Sequence, residues 1–216
     1  MKKLVFWGCV ALMVACTTGK KEDLTASGLK RSHFQTEVNG KKINLFILKN
    51  KNGMEVCVTN FGGRIVSVLV PDKEGVMRDV VLGFDSIQDY LRFPSDFGAT
   101  IGRYANRINQ GRFVLDGIEY QLLQNNYGHC LHGGPRGFQY RIFNGIQKND
   151  KELELTYLSK DGEEGFPGNL NCKVTMKLTD NNAINIRYEA ETDKPTIVNM
   201  TNHSYFNLDG DAARNE

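Results

Sequence analysis

A chain of 216 residues is long enough to bury one sizeable hydrophobic core, and its formal charge of +2, from 27 basic against 25 acidic side chains, is close to neutral. The basic residues are scattered rather than clustered, which excludes a nucleic-acid surface as the organising feature. Its five cysteines contain no Cys-x-x-Cys pair, so neither a structural zinc centre nor a full disulfide framework is supported.

Residues 1–16 read as a targeting segment. Lys2 and Lys3 form a basic start, residues 4–14 are mostly apolar, and Ala15-Cys16 follows. That apolar run is too short for a comfortable membrane span and has the length of a signal-peptide core. A small residue before a cysteine resembles the bacterial lipoprotein processing site, with Met13 where leucine is usual. On this reading Cys9 leaves with the signal. Cys16 becomes the lipidated first residue of an exported protein, anchored to a membrane and facing the periplasm or cell surface. Residues 17–30 read as a polar tether with too few large apolar side chains to pack. His33, just beyond, is expected to be solvated.

From residue 31 onward the rhythm is strand, turn, strand. Residues 43–47 lead through Asn52-Gly53 into residues 54–58, and residues 113–115 turn at Asp116-Gly117 into residues 118–122, a strong hairpin pattern. Leu153, Leu155 and Tyr157 alternate with polar residues, as do Val174, Met176 and Leu178, and then Ile184, Ile186 and Tyr188. That alternation is what a half-buried antiparallel strand requires. Only residues 86–91 read as a short helix. Many short strands at even spacing predict an all-β fold, a large antiparallel β-sandwich, with residues 31–216 in one domain.

Four segments break this rhythm. GRYANRI (102–108) places Arg103 and Arg107 four apart beside Asn106; guanidinium forks suit carboxylates, phosphates or sugar hydroxyls. Arg103 taken alone also reads as an ordinary surface charge. HCLHGG (129–134) has adjacent glycines that permit a tight turn or a close backbone approach. Its two histidines are three apart with no third ligand nearby in the sequence, so a metal site is not supported. DGEEGFPG (161–168) is a turn-rich loop that lacks the calcium-loop pattern. TNHSYFNL (201–208) is so dense in hydrogen-bonding side chains that burying it requires a polar partner in front. His203 is the member whose unperturbed pKa lets it give or take a proton near neutrality; a lone histidine there would read as a bonded strand-end residue, but this one does not stand alone.

In this order NRI, LHGG, DGEEGFPG and TNHSYFNL resemble the aldose 1-epimerases, the galactose mutarotases, over a stretch from about Asn39 to the end. The resemblance implies a β-sandwich with a sugar bound on an open concave face. It implies His203 as general acid on the ring oxygen and His132 as a second histidine polarising that oxygen. Asn106 and Arg107 become residues holding sugar hydroxyls, with Tyr205 beside the acid; His129 receives no role. The partner is an aldohexose such as galactose or glucose, no cofactor is required, no motif supports calcium, and a monomer is expected. The family's base is a glutamate that lies well beyond TNHSYFNL. The chain is therefore expected to be the N-terminal portion of the sandwich, incomplete at its C-terminus and inactive alone; Glu163, Glu164 and Glu216 do not stand at the matching place. Two alternatives stay open: a non-catalytic sugar-binding lipoprotein, and an epimerase of hexose phosphates, which would need more arginines than Arg103 and Arg107.

Overall fold

The computed structural model describes residues 24–210. The lipoprotein-type signal of residues 1–16, and Cys16 with it, lies outside the described residues. The predicted tether ends earlier than residue 30. Leu24 bridges to Lys30, the Ala26 N–H donates to Glu55 Oε1 at 2.7 Å, and Leu29 is buried against the core. One leucine and the buried Thr25, whose hydroxyl accepts the Leu29 N–H, suffice to dock a stretch whose average composition is polar. His33 is exposed, as expected.

The chain then forms β1 (Thr36–Val38) and β2 (Lys41–Ile43), a small hairpin, followed by β3 (Leu45–Lys49), β4 (Glu55–Thr59), β5 (Arg64–Pro71) and β6 (Met77–Asp79). The strand expected over residues 43–47 is broken at Asn44, whose N–H leaves the ladder to donate to Asn60 Oδ1 at 2.8 Å. Strands β3 to β6 pair in sequence order as one antiparallel sheet. The predicted helix is α1 (Ile87–Arg92), opened by Ser86, whose hydroxyl accepts the Asp89 N–H.

Short strands follow: β7 (Thr100–Ile101), β8 (Arg107–Ile108), the hairpin β9 (Arg112–Leu115) and β10 (Ile118–Gln121), and β11 (Cys130–Leu131). The Asp116-Gly117 turn has both residues at positive φ, 53° and 78°, the backbone that a two-residue hairpin loop demands. A second four-stranded sheet is then built by β12 (Asn144–Asn149), β13 (Glu152–Ser159), β14 (Leu170–Leu178) and β15 (Ile184–Thr192), again antiparallel in sequence order. The last strand, β16 (Thr201–Asn202), returns to pair with β7.

The two four-stranded sheets face each other across the main core. Val56, Val58 and Val68 of the first pack with Leu153, Leu155, Val174, Met176 and Leu178 of the second. The first sheet is covered on its other face as well, by Leu29, Phe34, Ile87 and Tyr90, which explains why every residue of β4 is buried. The result is the predicted antiparallel sandwich.

Candidate active site

Two short strand pairs bring the unusual segments together. Pairing of β16 with β7 sets Thr201 opposite Ile101, and pairing of β11 with β8 sets Leu131 opposite Arg107. Beneath them Ala99, Ile101 and Ala105 form a small buried layer that lets the segments approach closely. Gly133 is needed here, because a Cβ on it would fall on the Gly102 carbonyl, and its φ of 80° is one other residues rarely adopt.

Asn106 and His132 clamp each other. The His132 N–H donates to the Asn106 carbonyl at 3.1 Å, and the Asn106 N–H donates to His132 Nδ1 at 3.0 Å. A ring nitrogen that accepts an N–H cannot carry a proton, so in neutral His132 the hydrogen sits on Nε2. The His203 ring stands 5.0 Å from that of His132, nearly perpendicular at 87°. His203 is fixed by backbone bonds on both sides: its N–H donates to Ala99 and its carbonyl accepts from Gly98. Tyr205 lies 5.0 Å from His203 at 30°, and its ring meets Phe97 edge-on at 5.3 Å. Arg107 is exposed, with Nε donating to Asn126 Oδ1 at 3.0 Å. All five residues nominated from the sequence (His132, His203, Asn106, Arg107 and Tyr205) thus belong to one patch.

The electrostatics give His132 a defined state. Burial, above all, holds its imidazole below the ordinary value; His203 and Arg107 push the same way and Asp96 opposes them. Protonating His132 would also place a hydrogen on Nδ1, facing the Asn106 N–H. His132 is therefore held as an N–H donor through Nε2, with the His203 ring standing across from it.

Other expectations change. Arg103 is not a surface charge: it is 2% exposed, and its guanidinium donates to Ser159 Oγ and to the carbonyls of Ser159, Lys160, Pro167 and Gly168. It staples GRYANRI to DGEEGFPG, so neither serves a ligand directly through it. Glu163 accepts from the Tyr157 and Ser159 hydroxyls, and Glu164 accepts the Arg136 N–H while pairing with Arg136 and Arg141. Both are scaffold beneath the HGG turn. His129 turns away to accept the Gln110 N–H at 3.1 Å.

The sequence reading missed Asp96 and Arg64. Arg64, fully buried, donates to the carbonyls of Phe97 at 2.9 Å and Gln139 at 2.7 Å, tying the two walls of the site together. Asp96 places a carboxylate oxygen within 4.8 Å of a ring nitrogen of both His132 and His203. It stands in a Pro-Ser-Asp loop without motif character, and nothing local in the sequence marks it. The trio offers three ligand atoms of two kinds, two imidazole nitrogens and a carboxylate oxygen, a grouping that sequence spacing did not reveal. With the Asn106 N–H on Nδ1 and the proton on Nε2, however, His132 has no lone pair to give an ion.

The structure defines an all-β protein, an antiparallel sandwich that gathers two imidazoles, a guanidinium and an asparagine into one patch. Comparison with known proteins sharpens that class. The sequence pattern of the family described as Aldose 1-epimerase matches residues 44–216, and the chain belongs to this family. It is 42% identical over 173 residues to the aldose 1-epimerase of Escherichia coli (strain K12), a match covering 80% of this chain and 50% of that one. It is 43% identical over 162 residues to the galactose mutarotase of Sus scrofa, covering 75% and 47%. Among solved structures, the GalM/aldose epimerase homologue from C. elegans superposes with a TM-score of 0.75 at 34% identity, covering 78% of this chain and 52% of the other. The galactose 1-epimerase from Lactobacillus acidophilus NCFM superposes at 0.73 and 30%, covering 81% and 52%. The chain spans about half the length of the relatives it matches.

Proposed function

We propose that the protein is an aldose 1-epimerase that interconverts the α and β anomers of an unphosphorylated hexose such as galactose or glucose. The observation that carries this reading is the His132–His203 pair, 5.0 Å apart, with the tautomer of His132 set by the Asn106 N–H. Mutarotation needs a proton delivered to the ring oxygen while another is taken from the anomeric hydroxyl. His203 delivers the first. His132 holds Nε2–H toward the same oxygen and stabilises the charge that develops there without giving up its proton. The ring C–O bond then breaks and the anomeric O–H electrons form the aldehyde. Rotation about the adjoining carbon–carbon bond and closure on the other face complete the exchange. The base is a glutamate by resemblance to the family, placed outside the described residues, and none of the described carboxylates is given that role.

Asn106 and Arg107 hold hydroxyls, and Tyr205 walls the site beside the acid. The burial of Arg103 supports an unphosphorylated substrate, because it leaves Arg107 as the arginine of that pair able to meet a ligand. In the full-length protein His203→Ala is expected to lower turnover by about two to four orders of magnitude. Anomer exchange at the wild-type rate in polarimetry refutes the assignment; sugar binding without any exchange in the wild type would instead favour the non-catalytic binding protein. We further propose that Cys16 is acylated and holds the protein on a membrane, a reading supported by the basic, apolar, Ala-Cys order of residues 1–16. Mass spectrometry of the mature protein tests it, and an unmodified N-terminus at another residue refutes it.

A further inference from the structure

We infer that Asp96 is a sugar-binding carboxylate of this site, one that accepts a hydroxyl hydrogen from the pyranose lying against His132 and His203. The inference rests on the epimerase reading and adds a specificity-determining residue to it.

Three observations carry it. First, the spacing is that of a hydroxyl cradle. A carboxylate oxygen of Asp96 and one ring nitrogen from each histidine lie within 4.8 Å of one another. Three atoms so placed fit inside a circle whose radius is that side divided by √3, about 2.8 Å, so one pyranose edge that meets both imidazoles is also within hydrogen-bond reach of the carboxylate. With the ring oxygen taken by the two imidazoles, a hydroxyl beside it on the same pyranose edge faces Asp96 and donates its hydrogen to the carboxylate.

Second, the acceptor is unspent. Among the described residues nothing donates a hydrogen bond to the Asp96 carboxylate, although the residue is half-buried. Arg64 is near enough to act on it electrostatically, as are Tyr140 and His132. Both terminal nitrogens of Arg64 are committed elsewhere, to Phe97 and Gln139.

Third, the backbone that carries Asp96 is held rigidly. The Asp96 carbonyl accepts from Ala99, and Gly98 donates to the His203 carbonyl. The Gly98 carbonyl takes the Asn202 side-chain amide at 2.8 Å and the Ile65 N–H at 2.9 Å. A Cβ on Gly98 would fall on the Ile65 carbonyl, so the turn cannot drift away from the sheet. Asp96 and His203 are thereby registered on one another through Gly98 and Ala99, the geometry expected of two groups sharing one ligand.

The experiment is a cycle of enzyme and substrate deletions in the full-length protein. Asp96→Ala and Asp96→Asn are assayed by polarimetry against a parent hexose and its singly deoxygenated analogues, and sugar affinity is measured by calorimetry. A hydrogen bond to a charged group implies that Asp96→Ala raises KM and Kd by about 10- to 100-fold, with turnover changed much less. One deoxy sugar, lacking the bonded hydroxyl, should bind wild type and Asp96→Ala equally. Unchanged affinity, or an equal penalty on every analogue, overturns the proposal. So does a loss confined to kcat, which would make Asp96 part of proton transfer instead. If the wild type binds sugar without exchanging anomers the epimerase reading fails, and the calorimetric cycle still decides the role of Asp96.

Discussion

Replacing Arg103 by methionine removes a guanidinium that donates at 2.8 to 3.0 Å to Ser159 Oγ and to the carbonyls of Ser159, Lys160, Pro167 and Gly168. Methionine keeps much of the length and apolar contact of the side chain but offers no donor. Three buried carbonyls, the part-exposed Lys160 carbonyl and a hydroxyl then lose a charged partner, at about 1–3 kcal/mol for each buried group. Two effects reduce the total: water can reach part of the vacated space, and the folded state no longer desolvates a cation, which returns several kcal/mol. The net loss expected is about 3–5 kcal/mol. Urea denaturation followed by fluorescence and circular dichroism measures it. Arg103→Lys should recover only part, because one ammonium cannot satisfy acceptors spread around a planar fork. Since Arg103 also fixes the backbone leading to Asn106 and Arg107, surviving protein should show a raised KM. A midpoint for Arg103→Met within about 1 kcal/mol of wild type would mean that the staple is not what joins GRYANRI to DGEEGFPG, and the reasoning fails.

On the proposed reading, in which the exposed guanidinium held by Asn126 binds a hydroxyl and moves no proton, Arg107→Ala should raise KM with a smaller fall in turnover; kinetic constants equal to wild type would return Arg107 to the role of a plain surface charge. The pH response of His132 follows from its depressed proton affinity. In the unfolded chain this imidazole takes its proton near its ordinary value, about 6.5, whereas in the folded chain it does so only at lower pH. The unfolded state therefore binds the proton first, and stability contributed by the neutral ring falls as pH drops below about 6.5. Melts of wild type and His132→Gln across that window should diverge, with the variant losing less on acidification; parallel curves refute the linkage.

Periodicity and turn chemistry in the sequence determined the architecture, because a two-residue alternation admits only a half-buried strand and Asp116-Gly117 admits only a tight hairpin. Motif order marked His132, His203, Asn106, Arg107 and Tyr205 through the resemblance to the aldose 1-epimerases, and their segments stood out because they hold more polar groups than strands need. Composition averaged over a window hid Leu29, whose single side chain docks residues 24–30 on the sheet. The fate of each arginine was open until tertiary structure decided it. Arg103 and Arg107 stand four residues apart, yet one is buried among carbonyls and the other exposed, because the carbonyls come from residues 159–168. The tautomer of His132 depends on a backbone N–H 26 residues earlier, and the approach of Asp96 to both histidines depends on pairing between residues 98–100 and 202–203. Local sequence specifies local backbone preference; which side chain meets which acceptor across the sheet edge is set only when distant segments are registered against one another.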